Sequence, residues 1–203
     1  MSFDTVVGLI GFAFVMSISP GPGNFLLLAS GANFGFTRSV PLVLGISTGF
    51  LSMVFCIGLG LGEVLQRFPV LYTLLRFACA AYVIWLAFKI ATSRSLAKDN
   101  QTKMPQPISF IQAAFLQLLN PKAWTVALVV TVSYTSLENY FTSLVVMIVL
   151  FAAVNIPSIS VWAIFGSILQ GVLAQGNRIA VFNIVMAIVL LASMIPMLLS
   201  TGY

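Results

Sequence analysis

The chain alternates long apolar runs with short polar connectors. Apolar residues dominate 6–32, 40–61, 70–91, 108–133, 142–167 and 179–199. A helix crosses the hydrocarbon layer with about 20 apolar residues, so each run is long enough. None alternates apolar and polar residues as a barrel strand would, and all exceed strand length, so helices are predicted. Turn formers and charges gather between the runs. Residues 34–39 hold Gly35, Thr37 and Arg38, and Pro41 is expected in the first turn of the next helix, where proline is tolerated. Residues 62–69 hold Glu63, Arg67 and Pro69; 135–140 hold Glu138; 170–178 hold Gly176 and Arg178.

The predicted fold is an all-α membrane protein of about six transmembrane helices. The longest polar stretch, 92–107, carries Arg94, Lys98, Asp99, Lys103, Pro105 and Pro107 and splits the chain in two. The expected organisation is a three-helix repeat over 1–92, a cytoplasmic linker loop over 93–107 and a second three-helix repeat over 108–203. Three spans per half set the halves in opposite orientations, the inverted plan of many secondary transporters. A faint echo supports it: Phe14 precedes Pro20 by six residues, and Phe115 precedes Pro121 by six.

Composition turns this pattern into a membrane assignment. Hydrophobic residues make up 60% of the chain and charged residues 6%, against about a quarter charged in a soluble domain. Nine basic and four acidic residues cannot clothe a water-facing surface. The basic residues also set an orientation. Arg38, Lys89, Arg94, Lys98, Lys103 and Arg178 lie on or beside odd-numbered connectors, while Arg67 and Arg76 lie opposite. Positive charge stays cytoplasmic, so both termini are expected outside a bacterial inner membrane and the middle loop inside. This bias accounts for the net charge of +5 without a nucleic-acid partner. No basic stretch precedes the first run, which is therefore expected to be a retained span and not a cleaved signal peptide. Cys56 and Cys79 lie within apolar runs and are expected as buried packing residues.

Three runs break the rules of a plain membrane helix. The first contains Ser19-Pro20-Gly21-Pro22-Gly23-Asn24. Each interior proline removes an amide donor and costs roughly 3 kcal/mol, so a continuous helix is not expected there. Backbone freed at that depth must face protein or a polar cavity. The fourth run contains Asn120-Pro121-Lys122. Lys122 lies roughly 20 Å along that helix, where a buried cation is expensive unless it faces the interior or snorkels to the interface. The fifth contains Asn155 and Pro157, at a depth matching Pro20 and Lys122. The many glycines of the first two runs read first as sites of close helix packing.

What is missing narrows the chemistry. The chain has no histidine, and Asp4, Glu63, Asp99 and Glu138 all fall at span ends or in connectors. Serine–histidine or zinc proteolysis inside the membrane is excluded, no Walker lysine loop is present, and neither a cofactor nor a metal is expected.

Together the run at 19–24, Asn-Pro-Lys at 120–122 and the stretch from Ala80 to Lys89 (AAYVIWLAFK) resemble the LysE/RhtB family of amino-acid exporters. The run Pro107-Ile108-Ser109-Phe110 is similar to that of the cysteine/O-acetylserine exporter branch. The resemblance implies a transporter, not an enzyme, that exports a small amino acid or derivative through a bacterial inner membrane.

From the residues, the expected substrate site comprises Pro20, Gly21, Pro22, Asn24, Asn120, Pro121, Lys122 and Asn155. Half-helix N-termini suit a substrate carboxylate, with Lys122 neutralising it, and freed carbonyls at the other end suit an ammonium group. No buried carboxylate awaits a basic side chain, so a neutral side chain is expected. A proton is the candidate coupling ion, carried by Lys122 or by Glu63, with Asp4 and uncoupled export as alternatives. A homo-oligomer, a channel and a non-transporting membrane subunit stay open at this stage.

Overall fold

The computed structural model describes residues 1–61, 69–92, 106–136, 138–174 and 177–192, and every regular element among them is helical. Helix α1 spans Phe3–Ile18. Ser2 caps it by accepting from the Thr5 amide, and Asp4 sits in the first turn, where the helix dipole favours a carboxylate. The helix stops at Ser19-Pro20-Gly21, and α2 (Pro22–Phe34) starts with proline at its first position, bent 57° from α1.

A single residue, Gly35, joins α2 to α3 (Phe36–Cys56). Its φ of 80° lies in the left-handed region that glycine alone enters cheaply. Because that tight turn starts α3 at Phe36, Pro41 falls inside the helix and not in its first turn, correcting the sequence expectation. A π-helical turn, Ile57–Leu61, follows α3. Helix α4 covers Pro69–Ala91, and on it the rings of Tyr82 and Trp85 pack 5.5 Å apart, with Lys89 5.3 Å over Trp85.

The second half repeats the broken design. Ser109 and Gln112 form a reciprocal capping box at the start of α5 (Phe110–Leu118). Asn120 caps α6 (Pro121–Tyr134), and the axis turns by 71° across Asn120 and Pro121. Helix α7 (Tyr140–Leu173) has 34 residues, about 51 Å at 1.5 Å each, and α8 covers Arg178–Ala192. By length and composition α3 and α7 can each cross a bilayer, and the count rises to four if each bent pair is one span. Large apolar side chains face outward, among them Phe3, Phe88, Val132 and Ile168, which suits lipid and not water. Cys56 is one of the outward-facing residues, contrary to expectation. An apolar run marks depth in the membrane but not which flank of the helix meets the protein.

Helix α7 is the hub, touching α1, α2, α3, α6 and α8. Its crossing with α2 is so close that a Cβ added at Gly31 would strike the Ala163 carbonyl, and one at Gly166 the Leu28 carbonyl. Helices α3 and α5 cross as closely at Gly45 and Gly49, against Phe110 and Ala114. Small residues let backbones approach in this way where lipid supplies no hydrophobic drive. Buried polar pairs tie the helices further: Ser30 meets Ser39 at 2.8 Å, and Asn33 and Asn183 exchange amide hydrogen bonds of 2.8 and 3.0 Å.

Breaking that exchange on one side removes two buried hydrogen bonds at once. Asn33→Leu is expected to cost about 1–3 kcal/mol, and Asn33→Leu with Asn183→Leu less than the sum of the two singles. Thermal unfolding of the three variants in detergent checks this, and strict additivity would contradict the pairing.

Candidate functional site

The C-terminal end of α1 has four carbonyls that its own helix cannot satisfy. Each is met by a named donor. The last helical bond runs from the Ser19 amide to Val15 O at 3.1 Å, and of the four carbonyls beyond it Met16 O accepts from Ser19 Oγ at 3.1 Å. Asn24 Nδ2 donates to Ser17 O at 2.7 Å and to Ser19 O at 2.9 Å. Trp162 Nε1, from α7, donates to Ile18 O at 3.1 Å. Lys122 Nζ, from α6, donates to Ser19 O and to Ser19 Oγ, both at 2.7 Å. The ammonium thus sits at the negative end of the α1 dipole, where a cation is favoured.

This arrangement revises one expectation. The carbonyls freed by the first break are not open to a ligand ammonium, because side chains from three other helices already occupy them. Gly21 is what admits Lys122. A Cβ there would lie 3.0 Å from Lys122 Cδ and 3.5 Å from Nζ, so the lysine stem runs against bare backbone.

The break at Asn120 is capped more locally. Asn120 Oδ1 accepts from the Lys122 amide at 3.2 Å, and its Nδ2 donates to Gln117 Oε1 at 3.2 Å. Asn155 completes a third set of contacts. Its Nδ2 donates to Ser17 Oγ at 2.8 Å, and its Oδ1 accepts from Ser47 Oγ at 2.6 Å. Ser17 therefore links α1, α2 and α7, through its carbonyl to Asn24 and its hydroxyl to Asn155.

These groups surround one cavity of about 60 Å³. Gly21, Gly23, Asn24, Asn120, Lys122 and Asn155 line it on the polar side, and Ile46, Phe50, Val126 and Phe151 on the apolar side. The volume holds about four waters, or the polar end of a small solute. Pro22 carries no amide hydrogen, and the Gly23 and Asn24 amides precede the first intrahelical bond of α2, from Phe25 N to Gly21 O. Two uncommitted donors at a helix N-terminus thus accompany the Lys122 cation. Both Asn24 amide hydrogens are taken, which leaves its Oδ1 as an acceptor.

Of the residues expected from sequence, Gly21, Asn24, Asn120, Lys122 and Asn155 share this cavity, whereas Pro20 and Pro22 are not among its lining residues. The prolines act through the backbone: Pro20 lies in the break, and Pro22 and Pro121 open α2 and α6. Asp4 is exposed at the start of α1, and Glu63 lies outside the described residues. Among the described residues no cluster of histidine, cysteine, aspartate or glutamate is suited to a metal ion.

A family model described as "LysE type translocator" matches residues 14–199, a range that includes both helix breaks and the cavity. The chain belongs to that family. It is a multi-pass membrane transporter and not an enzyme. Among curated relatives it is similar to a "Cysteine/O-acetylserine efflux protein" of Escherichia coli O1:K1 / APEC, 34% identical over 88% of this chain and 90% of that one. A protein of the same description from Escherichia coli K12 is 33% identical over the same shares. No solved structure matches the chain.

Sequence reasoning missed two side chains that line this LysE type translocator's cavity, Ser17 and Gln117, and one that holds Asn155 from behind it, Ser47. Ser17 and Ser47 look like ordinary small polar residues in apolar runs. Gln117 did carry a signal, since it lies three residues before Asn120 and so on the same face one turn away.

Proposed function

We propose that this translocator exports a small amino acid or amino-acid derivative with a neutral side chain, by alternating access about the cavity at the two helix breaks. The observation that carries the proposal is that Lys122 lines one cavity together with Gly23 and Asn24, whose amides are uncommitted. These are the donors a carboxylate needs, and Asn24 Oδ1, Asn120 and Asn155 supply neutral polar contacts for the rest of the zwitterion. A basic side chain would need a buried carboxylate, and none lines the cavity among the described residues. The relatives' description as cysteine/O-acetylserine efflux proteins agrees with a small neutral substrate.

Six spans in two inverted repeats suit this mechanism. In support, each half opens on a broken pair, α1–α2 and α5–α6. The first pair packs on α7 and α5 packs on α3, a reciprocal exchange between halves. Export from the bacterial cytoplasm through the inner membrane follows from the basic bias. Gly35 approaches Gln170 at the end that carries Arg38, Lys89 and Arg178, while Tyr140 reaches Gly58 and Tyr134 reaches Gly8 at the other. On this reading the first end is cytoplasmic and the termini are outside. A proton is the coupling ion, with Lys122 as its carrier, since no carboxylate lines the cavity among the described residues.

Purified protein in liposomes tests the proposal. Radiolabelled small neutral amino acids are expected to saturate and exchange, lysine and arginine are not, and an imposed proton gradient is expected to drive accumulation. Conduction without saturation would turn the reading to a channel, and no flux at all to a non-transporting subunit. Replacing Pro20 and Pro22 together with Ala should extend α1 through the break. Membrane expression should hold, because alanine is the better helix former, while flux falls by at least about tenfold. Unchanged flux would make the break dispensable.

A further inference from the structure

The cavity holds a donor that the contacts described so far leave unused. Three buried side-chain polar atoms among the described residues lack a hydrogen-bond partner, and of these Gln117 Nε2 belongs to a cavity-lining residue. Gln117 is 2% exposed. A buried amide hydrogen without a partner costs about 1–3 kcal/mol, so such groups are rare unless something else satisfies them.

The orientation of this amide is fixed by its neighbours. The Lys122 amide can only donate, so the Asn120 atom that meets it is Oδ1. Nδ2 of Asn120 must then face Gln117 and donate, so the Gln117 atom meeting it is Oε1. Nε2 is left on the far side, 3.6 Å from where a Gly23 Cβ would stand and beside Ile46, which comes within 3.5 Å of the same point. Lys122 Nζ lies instead at Gly21. The cation and the neutral donor therefore stand two residues apart at the start of α2, Lys122 at Gly21 and Gln117 at Gly23 beside the apolar Ile46.

We infer that Gln117 is a specificity-determining residue whose Nε2 donates to an acceptor oxygen on the substrate's side chain, selecting small amino acids with a hydroxyl, ester or amide oxygen over carbon isosteres. This rests on the export reading above. The physical basis is asymmetric: a site built to hydrogen-bond a substrate group rejects an analogue lacking it, because its own buried donor is then left unpaired. The contact to Asn120 presets which end of the amide faces Gly23.

The test is competition in liposomes with full-length protein, comparing serine with 2-aminobutyrate and homoserine with norvaline as inhibitors of exchange. The parent is expected to prefer the oxygen-bearing member of each pair by about tenfold. Gln117→Leu removes the donor and is expected to bring both ratios to within about twofold. Gln117→Glu keeps an acceptor for Asn120 while removing the donor, and is expected to lower the same ratios if the leucine variant does not assemble. A residue that only holds the fold would change flux for both members of a pair alike. Ratios unchanged in the assembled variants, or a uniform rise in KM for all substrates, overturn the inference while the export reading stands. A parent that carries no amino acid overturns the export reading, and this inference with it.

Discussion

Lys122→Met is expected to leave the protein folded in the membrane and to lower amino-acid flux by on the order of a hundredfold. The fall corresponds to losing a hydrogen bond to a charged group, at roughly 1.5–3 kcal/mol. Retention of the fold follows from the hydrogen bonds at the first break. Ser19 O accepts from Asn24 Nδ2 as well as from Lys122 Nζ, so deleting the ammonium orphans no carbonyl. Removing a charge from the membrane interior also relieves an insertion cost of roughly 2.5–3.5 kcal/mol or more. The measurement is initial exchange rate at matched reconstitution, together with melting temperature in detergent. Flux near the parent rate with unchanged affinity would assign Lys122 to capping α1 alone. If a proton gradient drives the residual flux of this variant as well as it drives the parent, the proton is carried elsewhere. Glu63→Gln is then the variant to compare.

The second large effect falls on stability. Gly31→Leu is expected to destroy the α2–α7 crossing, with loss of monodisperse protein in detergent. At Gly31 the obstruction is the Ala163 carbonyl, which is backbone and cannot rotate away, so the cost reaches or exceeds the ~3 kcal/mol top of the usual overpacking range. Gly171→Ala, on the same α7, provides the contrast. Nothing lies within 4 Å of a Cβ there, so the variant should melt at or slightly above the parent temperature. Equal behaviour of the two variants would show that the crossing tolerates separation.

The helices and their breaks were legible because both are local. The run 6–32 becomes α1 and α2, with the interruption where Pro20, Gly21 and Pro22 stand, and 108–133 becomes α5 and α6, divided at Pro121. Membrane burial makes such signals strong, since backbone without a partner is so costly. The partners of the freed groups were not legible. Lys122 reaches Ser19 across 103 residues, and Asn155 reaches Ser17 across 138, distances over which sequence carries no register. The expected opening of the α1 carbonyls to ligand failed for this reason: the spacing revealed the free carbonyls but not the donors brought by α6 and α7. Cys56 and Pro41 failed for smaller reasons, a helix flank and a turn one residue long. Gln117 escaped because its spacing to Asn120 gives the neighbour but not which end of its amide that neighbour takes.

The complete satisfaction of the α1 carbonyls also bears on timing. Withdrawing Asn24 would bare the Ser17 carbonyl and withdrawing Trp162 the Ile18 carbonyl, in a region with little water, at several kcal/mol each. Rearrangement there is cheapest as a relay, in which one donor arrives as another departs. A substrate ammonium is such an incoming donor, and an empty site brings none. The loaded carrier should therefore reorient faster than the empty one, so that exchange of amino acid for amino acid outpaces net efflux from the same vesicles.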